Sequence, residues 1–292
     1  MTPGTRMAEP ENDLRADVDR RLGALDGIDP LSDERYHRTH ERFEAASDQR
    51  QRILDWFERF IGHGERADTP ISKVLSIGCG GGVMDRRIVD VIAEHSGPIH
   101  LTGVDPNPEH IDAFTSAFGA TSHQVDAFAG GFEDFRSERR FDLVYFLHCL
   151  YYFETIEQPL IDAAERLAPG GALVVLQAPN DDLNHLADRV WRKQFEQSAW
   201  YSDDVADVLA GMDGRTTRTR IEAWVDVTPC FRPGDPSGVE LLDFIVQADT
   251  RDLPEALGDS LRDSLRSICE TRGDRLRVSH PVDALVFQPG AA

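Results

Sequence analysis

Lys73-Val74-Leu75-Ser76-Ile77-Gly78-Cys79-Gly80-Gly81-Gly82 decides how this chain folds. Lys73 to Ile77 is a short, mostly apolar run of strand length, and the glycines stop it. From Val83 to about His95 apolar residues recur at helical spacing. Ile99-His100-Leu101-Thr102-Gly103-Val104 then forms a second strand that ends at Asp105. A glycine-rich turn between a strand and a helix lets a ligand approach the backbone N–H groups at the helix N-terminus. Taken by itself, the turn also reads as a tight corner with no ligand. Its neighbours decide. The dinucleotide fingerprint GxGxxG asks for glycine at its sixth position, which here is Val83. The order is instead strand, GxGxG, helix, strand and acid, and a carboxylate at Asp105 can accept from both hydroxyls of an adenosyl ribose.

The alternation continues outward from this unit. Pro108 suits the first turn of a helix that runs to about Phe118. His123–Phe128 and Phe141–Leu147 read as strands, Ile156–Leu167 as a helix closed by Pro169-Gly170-Gly171, and Ala172–Gln177 as a fifth strand. Strands alternating with helices over this length predict an α/β fold with a parallel sheet covered on both faces. The final third is less regular: helix at Asp203–Ala210, strand at Thr217–Val227, helices at Val239–Ala248 and Leu257–Thr271, and a last strand at Val282–Phe287. Toward the N-terminus, Tyr36, His40 and Phe43 recur at helical spacing, as do Ile53, Trp56, Phe57 and Phe60. The expected organisation is a disordered tail over residues 1–32, a helical cap over 33–70 with a linker from Gly62 to Pro70, and the α/β domain over 71–292. No internal repeat is visible.

Composition limits the partners. The formal charge is −21, from 52 acidic and 31 basic residues, which disfavours phosphate backbones and anionic lipid surfaces. A small molecule is the expected partner, with no nucleic acid and no membrane; the oligomeric state is not readable. Only Lys73 and Lys193 represent lysine, a bias of genome composition. The scattered cysteines Cys79, Cys149, Cys230 and Cys269 form no CxxC pair, so neither a zinc site nor a disulfide framework is expected. With no leader-like or membrane-length apolar run, a cytoplasmic setting is expected. Arg192 and Asp283 read as solvated surface charges.

The strand–GxGxG–helix–strand–acid order resembles the class I methyltransferase family. That resemblance implies a Rossmann-like sheet of seven strands whose last strand, Val282–Phe287, is antiparallel, and S-adenosyl-L-methionine as cofactor. Ligands of such sheets bind beyond the carboxyl ends of the strands. Gly78, Gly80, Gly82, Asp105 and Leu147 are the cofactor-binding candidates, with Asp126 as acceptor from the adenine amino group and Phe128 packed on the ring. No metal is expected.

Further segments resemble histamine N-methyltransferases: Lys73–Gly78, Leu150-Tyr151-Tyr152, Val190-Trp191-Arg192-Lys193, Ser202-Asp203-Asp204, Val227-Thr228-Pro229-Cys230-Phe231 and Leu241-Leu242-Asp243-Phe244. The similarity covers most of residues 33–288 and implies substrate-lid insertions at about 181–200 and 228–275. It also implies that Tyr36, Tyr151, Tyr152 and Trp191 enclose the substrate, and His40, one turn beyond Tyr36, is taken with them. Ordinary core packing is the alternative for each ring. The departures are informative. The family's substrate-binding glutamate falls at Gln49, its glutamine after the fourth strand at His148, and its asparagine before the last strand near His280. The chain thus loses a fixed negative charge and gains two imidazoles, which can accept a proton near neutral pH or serve only as neutral hydrogen-bond donors. His148 and His280 are the catalytic candidates. The implied reaction is methyl transfer to a small heteroaromatic or amine molecule of imidazole or indole type, with N-methylation favoured. C-methylation of an indole ring with a His base, small-molecule O-methylation and a non-catalytic cofactor-binding subunit are the alternatives.

Overall fold

The computed structural model describes residues 9–62 and 69–290. In chain order the elements are α1 (Glu9–Gly23), α2 (Asp33–Ala46), α3 (Gln49–Gly62), β1 (Lys73–Ile77), α4 (Val83–Ser96), β2 (His100–Asp105), α5 (Pro108–Ala117), β3 (Gln124–Ala129), β4 (Phe141–Leu147), α6 (Glu157–Glu165) and β5 (Leu167–Gln177). They continue with α7 (Asp182–Phe195), α8 (Ser202–Ala210), β6 (Gly214–Ile221), β7 (Trp224–Asp226), α9 (Pro236–Val246), α10 (Glu255–Ser267), β8 (Glu270–Arg272), β9 (Arg275–Ser279) and β10 (Val282–Pro289). They make two compact units. A helical unit comprises the described residues up to Gln49, Asn180–Ala199 and Glu222–His280; a sheet unit comprises Arg50–Pro179, Trp200–Ile221 and the chain from Pro281.

In the sheet unit the strand order is β3-β2-β1-β4-β5-β10-β6. β1 pairs in parallel with β2 and β4, and β10 runs antiparallel to both β5 and β6. This is the seven-stranded class I methyltransferase sheet, with its last strand reversed. The side-chain period of two sorts each strand between two cores. Val74, Leu143, Tyr145, Val174 and Leu176 face one core, which α3, α4 and α5 complete. Leu75, Val144, Phe146, Leu173 and Val175 face the other, which is closed by α6 and α8. Ile53, Trp56, Phe57 and Ile61 of α3 are all buried in the first core, each contributing about 1.5–3 kcal/mol.

The helical unit packs α1, α2, α7, α9 and α10 around Val18, Leu22, Phe43, Leu186, Leu241 and Leu261. A three-stranded sheet in the order β7-β9-β8 completes it. The Ser32 hydroxyl caps α2 by accepting the Arg35 N–H at 3.3 Å. Arg35 and Asp243, both buried, form an ion pair between α2 and α9.

Several boundaries differ from the sequence reading. Residues 1–32 were expected to be a tail, but they contain α1, whose Val18 and Leu22 are buried. Asp17 on its flank accepts from Arg21 at 2.7 Å and from Ser260 at 2.5 Å. The expected cap at 33–70 falls across the two units, with α2 in the helical one and α3 from Arg50 in the sheet one. Most of the expected linker lies outside the described residues. The strand expected at Thr217–Val227 is broken after Ile221, because β6 pairs with β10 whereas β7 pairs with β9. The last helix stops at Ser267 and is followed by the β8–β9 hairpin, turned by Gly273 at φ +66°. Asp283 is buried rather than solvated, accepting from Ser202 at 2.6 Å and Arg218 at 2.5 Å.

Candidate active site

In the sheet unit, the candidate residues collect where β1, β2 and β4 end. The chain leaves β1 through Gly78 at φ +67°, whose N–H donates to Val104 O at 2.8 Å. A Cβ on Gly78 would stand 2.5 Å from Cys149 Cβ, so the close approach of this turn to the loop after β4 requires glycine. Gly80, at φ +52°, has open space where its Cβ would be. Gly82 is the N-cap of α4. A turn with an uncovered face, leading into a helix N-terminus, fits an adenosyl amino acid carrying a carboxylate.

Asp105 ends β2 and is buried. One carboxylate oxygen accepts the Gly80 N–H at 2.9 Å; the other accepts the Asn107 N–H at 3.0 Å and lies 3.1 Å from His110 Nδ1. Asp105 therefore organises the glycine turn and ties it to the start of α5. Asn107 and His110 were not noted in the sequence reading; Asn107 lies in the turn after the acid. His110 sits on the first turn of α5, where Asn107 caps the helix and Pro108 opens it.

Asp126 is placed differently from expectation. It pairs in register with Thr102, three residues before Asp105 aligns with Ala129, or roughly 10 Å down the strand at about 3.3 Å per residue. Its carboxylate is 2.9 Å from Arg139 and 2.6 Å from His100, and the Arg139 guanidinium holds it below the ordinary carboxylate range. It serves an ion-pair cluster and is not at the carboxyl end of β3. Phe128 is at that end, packed on Phe135 with ring centroids 5.6 Å apart. The Gly130 N–H donates to Asp105 O at 3.0 Å, placing backbone of the β3 exit beside the acid.

Leu147 closes β4, and His148 follows at φ +50°. Three non-glycine residues among those described have positive φ; Glu196 and Gln247 end α7 and α9, an ordinary use of that conformation. His148 ends no helix. A non-glycine residue held there marks backbone strain maintained by its surroundings. Its N–H donates to Leu176 O at 3.0 Å, and its Nδ1 lies 3.3 Å from the Tyr151 hydroxyl. That hydroxyl accepts the Ala178 N–H at 3.2 Å. Tyr152 beside it is 66% exposed.

Beneath the glycine turn, Tyr145 donates to Asp85 at 2.6 Å, and both side chains are buried. Burial pushes the Asp85 carboxyl up, opposed by hydrogen bonds from Ser76 and Tyr145. Nothing in the sequence links two residues so far apart.

The helical unit holds the remaining candidates. The Tyr36 ring stacks on His40 at 5.8 Å, and both pack on Phe244 at 5.8 and 5.3 Å. Phe244 meets Phe43 at 4.7 Å, and Phe43 meets the His280 ring edge-on at 5.0 Å. Gln49, which is buried, directs its amide nitrogen to His280 O at 2.9 Å and to Nδ1 at 3.1 Å. Tyr36, His40, Gln49 and His280 are thus drawn into one aromatic cluster, with Phe43 and Phe244 as members that the sequence reading had not counted among the site residues. Trp191 on α7 packs on Phe195 at 4.5 Å, and its indole Nε1 is buried without a hydrogen-bond partner.

Fold and glycine turn define an S-adenosylmethionine-dependent methyltransferase of class I. A family model described as "Methyltransferase domain" matches residues 38–217, more than half of the chain, and the chain belongs to that family. It is 26% identical to histamine N-methyltransferase A of Xenopus laevis over 71% of this chain and 78% of that one. It is 23% identical to carnosine N-methyltransferase 2 of Gallus gallus over 87% of this chain and 86% of that one. Among solved structures, the plantazolicin methyltransferase BpumL in complex with SAH superposes with a TM-score of 0.53 at 14% identity, covering 96% of this chain and 98% of that one. The two share a fold.

Proposed function

We propose that the chain methylates a small heteroaromatic or amine molecule of imidazole or indole type, most readily on nitrogen, and that His148 accepts the proton that leaves. The observation that carries this reading is an imidazole held in a left-handed conformation directly after β4, with its ring against Tyr151. Gly78, Gly80, Gly82, Asp105, Phe128 and Leu147 hold the cofactor. When bound, S-adenosylmethionine supplies a methyl group already activated on a sulfonium, so positioning of the acceptor accounts for much of the rate.

What the chain adds is proton handling. The Tyr151 oxygen has two lone pairs, so it can take the Ala178 N–H and a His148 Nδ1–H together. That tautomer leaves the Nε2 lone pair to take the proton of an acceptor. The named substrates of the two relatives, histamine and carnosine, both contain an imidazole ring, which supports a heteroaromatic acceptor.

The test is transfer of a labelled methyl group from S-adenosylmethionine to a panel of imidazoles, indoles, aliphatic amines and catechols, with the methylated atom identified by NMR. Label on a ring or amine nitrogen is the expected outcome, and label on an indole carbon would move the reading to C-methylation. Label on catechol oxygen alone, or on nothing in the panel, contradicts it.

A further inference from the structure

Asp85 is a buried carboxyl with no positive side chain to face. It lies in the first turn of α4, just past the glycine turn, and is 4% exposed. Below it, β1 and β4 pair Ser76 with Tyr145 in register. The Tyr145 hydroxyl donates to Asp85 Oδ1 at 2.6 Å, and Ser76 also bonds to the carboxyl. Both partners are neutral. Among the described residues no lysine, arginine or histidine pairs with Asp85. The charge that acts on it is the carboxylate of Asp105, whose other task is to accept the Gly80 N–H at 2.9 Å. Cys79 and Tyr145 are the remaining titratable groups around it; burial pushes both up, so they stay a thiol and a phenol. Two acids therefore share the underside of the turn, offset by about half a positive charge from the N-terminus of α4. Burial, with Asp105 adding to it, pushes the Asp85 carboxyl up against the hydrogen bonds from Ser76 and Tyr145.

We infer that Asp85 reads the charge of the cofactor: it holds a proton in the free protein and beside the spent thioether, and gives that proton to solvent when the sulfonium form binds. The inference rests on the reading that Gly78, Gly80 and Asp105 hold the cofactor, and it is independent of the acceptor. S-adenosylmethionine and S-adenosylhomocysteine share their adenosyl, carboxylate and ammonium groups and differ by one positive charge. A full positive charge at the turn favours the ionised carboxyl, in a buried setting that water and salt screen weakly. Transfer of the methyl group leaves a neutral thioether. Asp85 and Asp105 are then like charges without a counter-charge, and Asp85 takes a proton back from solvent. The bond that breaks and re-forms is the carboxyl O–H, and no electrons change hands. The result is a preference for the charged cofactor over the spent one.

The experiment is calorimetry of S-adenosylmethionine and S-adenosylhomocysteine binding to the full-length protein, without acceptor, in buffers of different ionisation enthalpy. That comparison counts the protons released. Over a series of pH values, the sulfonium form should release more protons than the thioether. Its affinity relative to the thioether should rise with pH, by up to about tenfold per unit for one proton. In Asp85→Asn the difference in proton count should vanish and the affinity ratio should stay flat with pH. Difference infrared spectra of the wild type give a readout that does not depend on how the variant folds. The C=O band of a protonated carboxyl should be lost with S-adenosylmethionine and kept with S-adenosylhomocysteine. Equal proton counts for the two ligands in the wild type, or a difference that survives in Asp85→Asn, overturns the inference. Asp105→Ala separates it from the reading beneath it. If that variant binds both ligands as the wild type does, the cofactor-site reading fails and takes this inference with it. If it binds both more weakly while the wild-type proton counts are equal, the role of Asp85 alone fails.

Discussion

The Tyr151 hydroxyl oxygen accepts the Ala178 N–H at 3.2 Å and lies 3.3 Å from His148 Nδ1. Ala178 is the first residue after β5 and His148 the first after β4, so one phenol ties the exits of two neighbouring strands. The His148 N–H also donates to Leu176 O, so β5 fixes the backbone of the residue while Tyr151 contacts its ring.

That fixation opposes a cost in the backbone. A histidine at φ +50° carries strain of about 1 kcal/mol that glycine does not. His148→Gly should therefore keep or raise the melting temperature while methyl transfer collapses. A variant that is inactive and clearly less stable would show that the residue is structural.

Asp105 bridges the glycine turn and the start of α5. Asp105→Ala removes acceptors from the Gly80 and Asn107 N–H groups and from any ribose hydroxyl, at roughly 1.5–3 kcal/mol per charge-assisted bond. Calorimetry should show cofactor affinity lowered by tenfold or more with the fold retained. Unchanged affinity would separate Asp105 from the cofactor.

Burial raises the Asp85 carboxyl above the ordinary range, so ionising it opposes folding. Its contribution is complete below a pH of about 4, the unfolded value, and is lost as pH rises toward the folded one. Asp85→Asn keeps an oxygen for the Tyr145 hydroxyl and should flatten the fall in melting temperature as pH rises above about 4. Parallel curves for the two proteins would contradict this.

Phe57 is fully buried in α3, 6.2 Å from the Tyr145 ring. Phe57→Ala should cost about 3–5 kcal/mol in chemical denaturation. A truncation of residues 1–62 removes this helix from the sheet core and so unfolds the unit, rather than uncovering a folded cofactor domain. A loss below about 1 kcal/mol for Phe57→Ala would place α3 outside the core.

The parts legible in the sequence are those with short-range causes. β1 and β4 lie where their apolar runs begin and end, and the glycine turn and Asp105 follow from local order, whereas the reversal of the last strand came from the family resemblance alone. α1 was missed because only Leu14, Val18 and Leu22, spaced four apart, form its apolar stripe within a strongly charged segment. Asp126 was misread because type and approximate position suggested a ligand role; its register against Thr102 and the presence of Arg139 are nonlocal. The Gln49–His280 and Asp85–Tyr145 pairs join residues 231 and 60 positions apart, and no periodicity reports such closures.

The central claim is that His148 accepts a proton during methyl transfer, and the pH dependence of turnover tests it most directly. With a methyl-accepting imidazole or indole at saturation, wild-type turnover should fall as pH drops through the imidazole range. His148→Gln, which orients an acceptor but cannot take its proton, should lose about 10²–10⁴-fold and show no such fall. Wild-type turnover and an unchanged pH profile in His148→Gln would contradict the account.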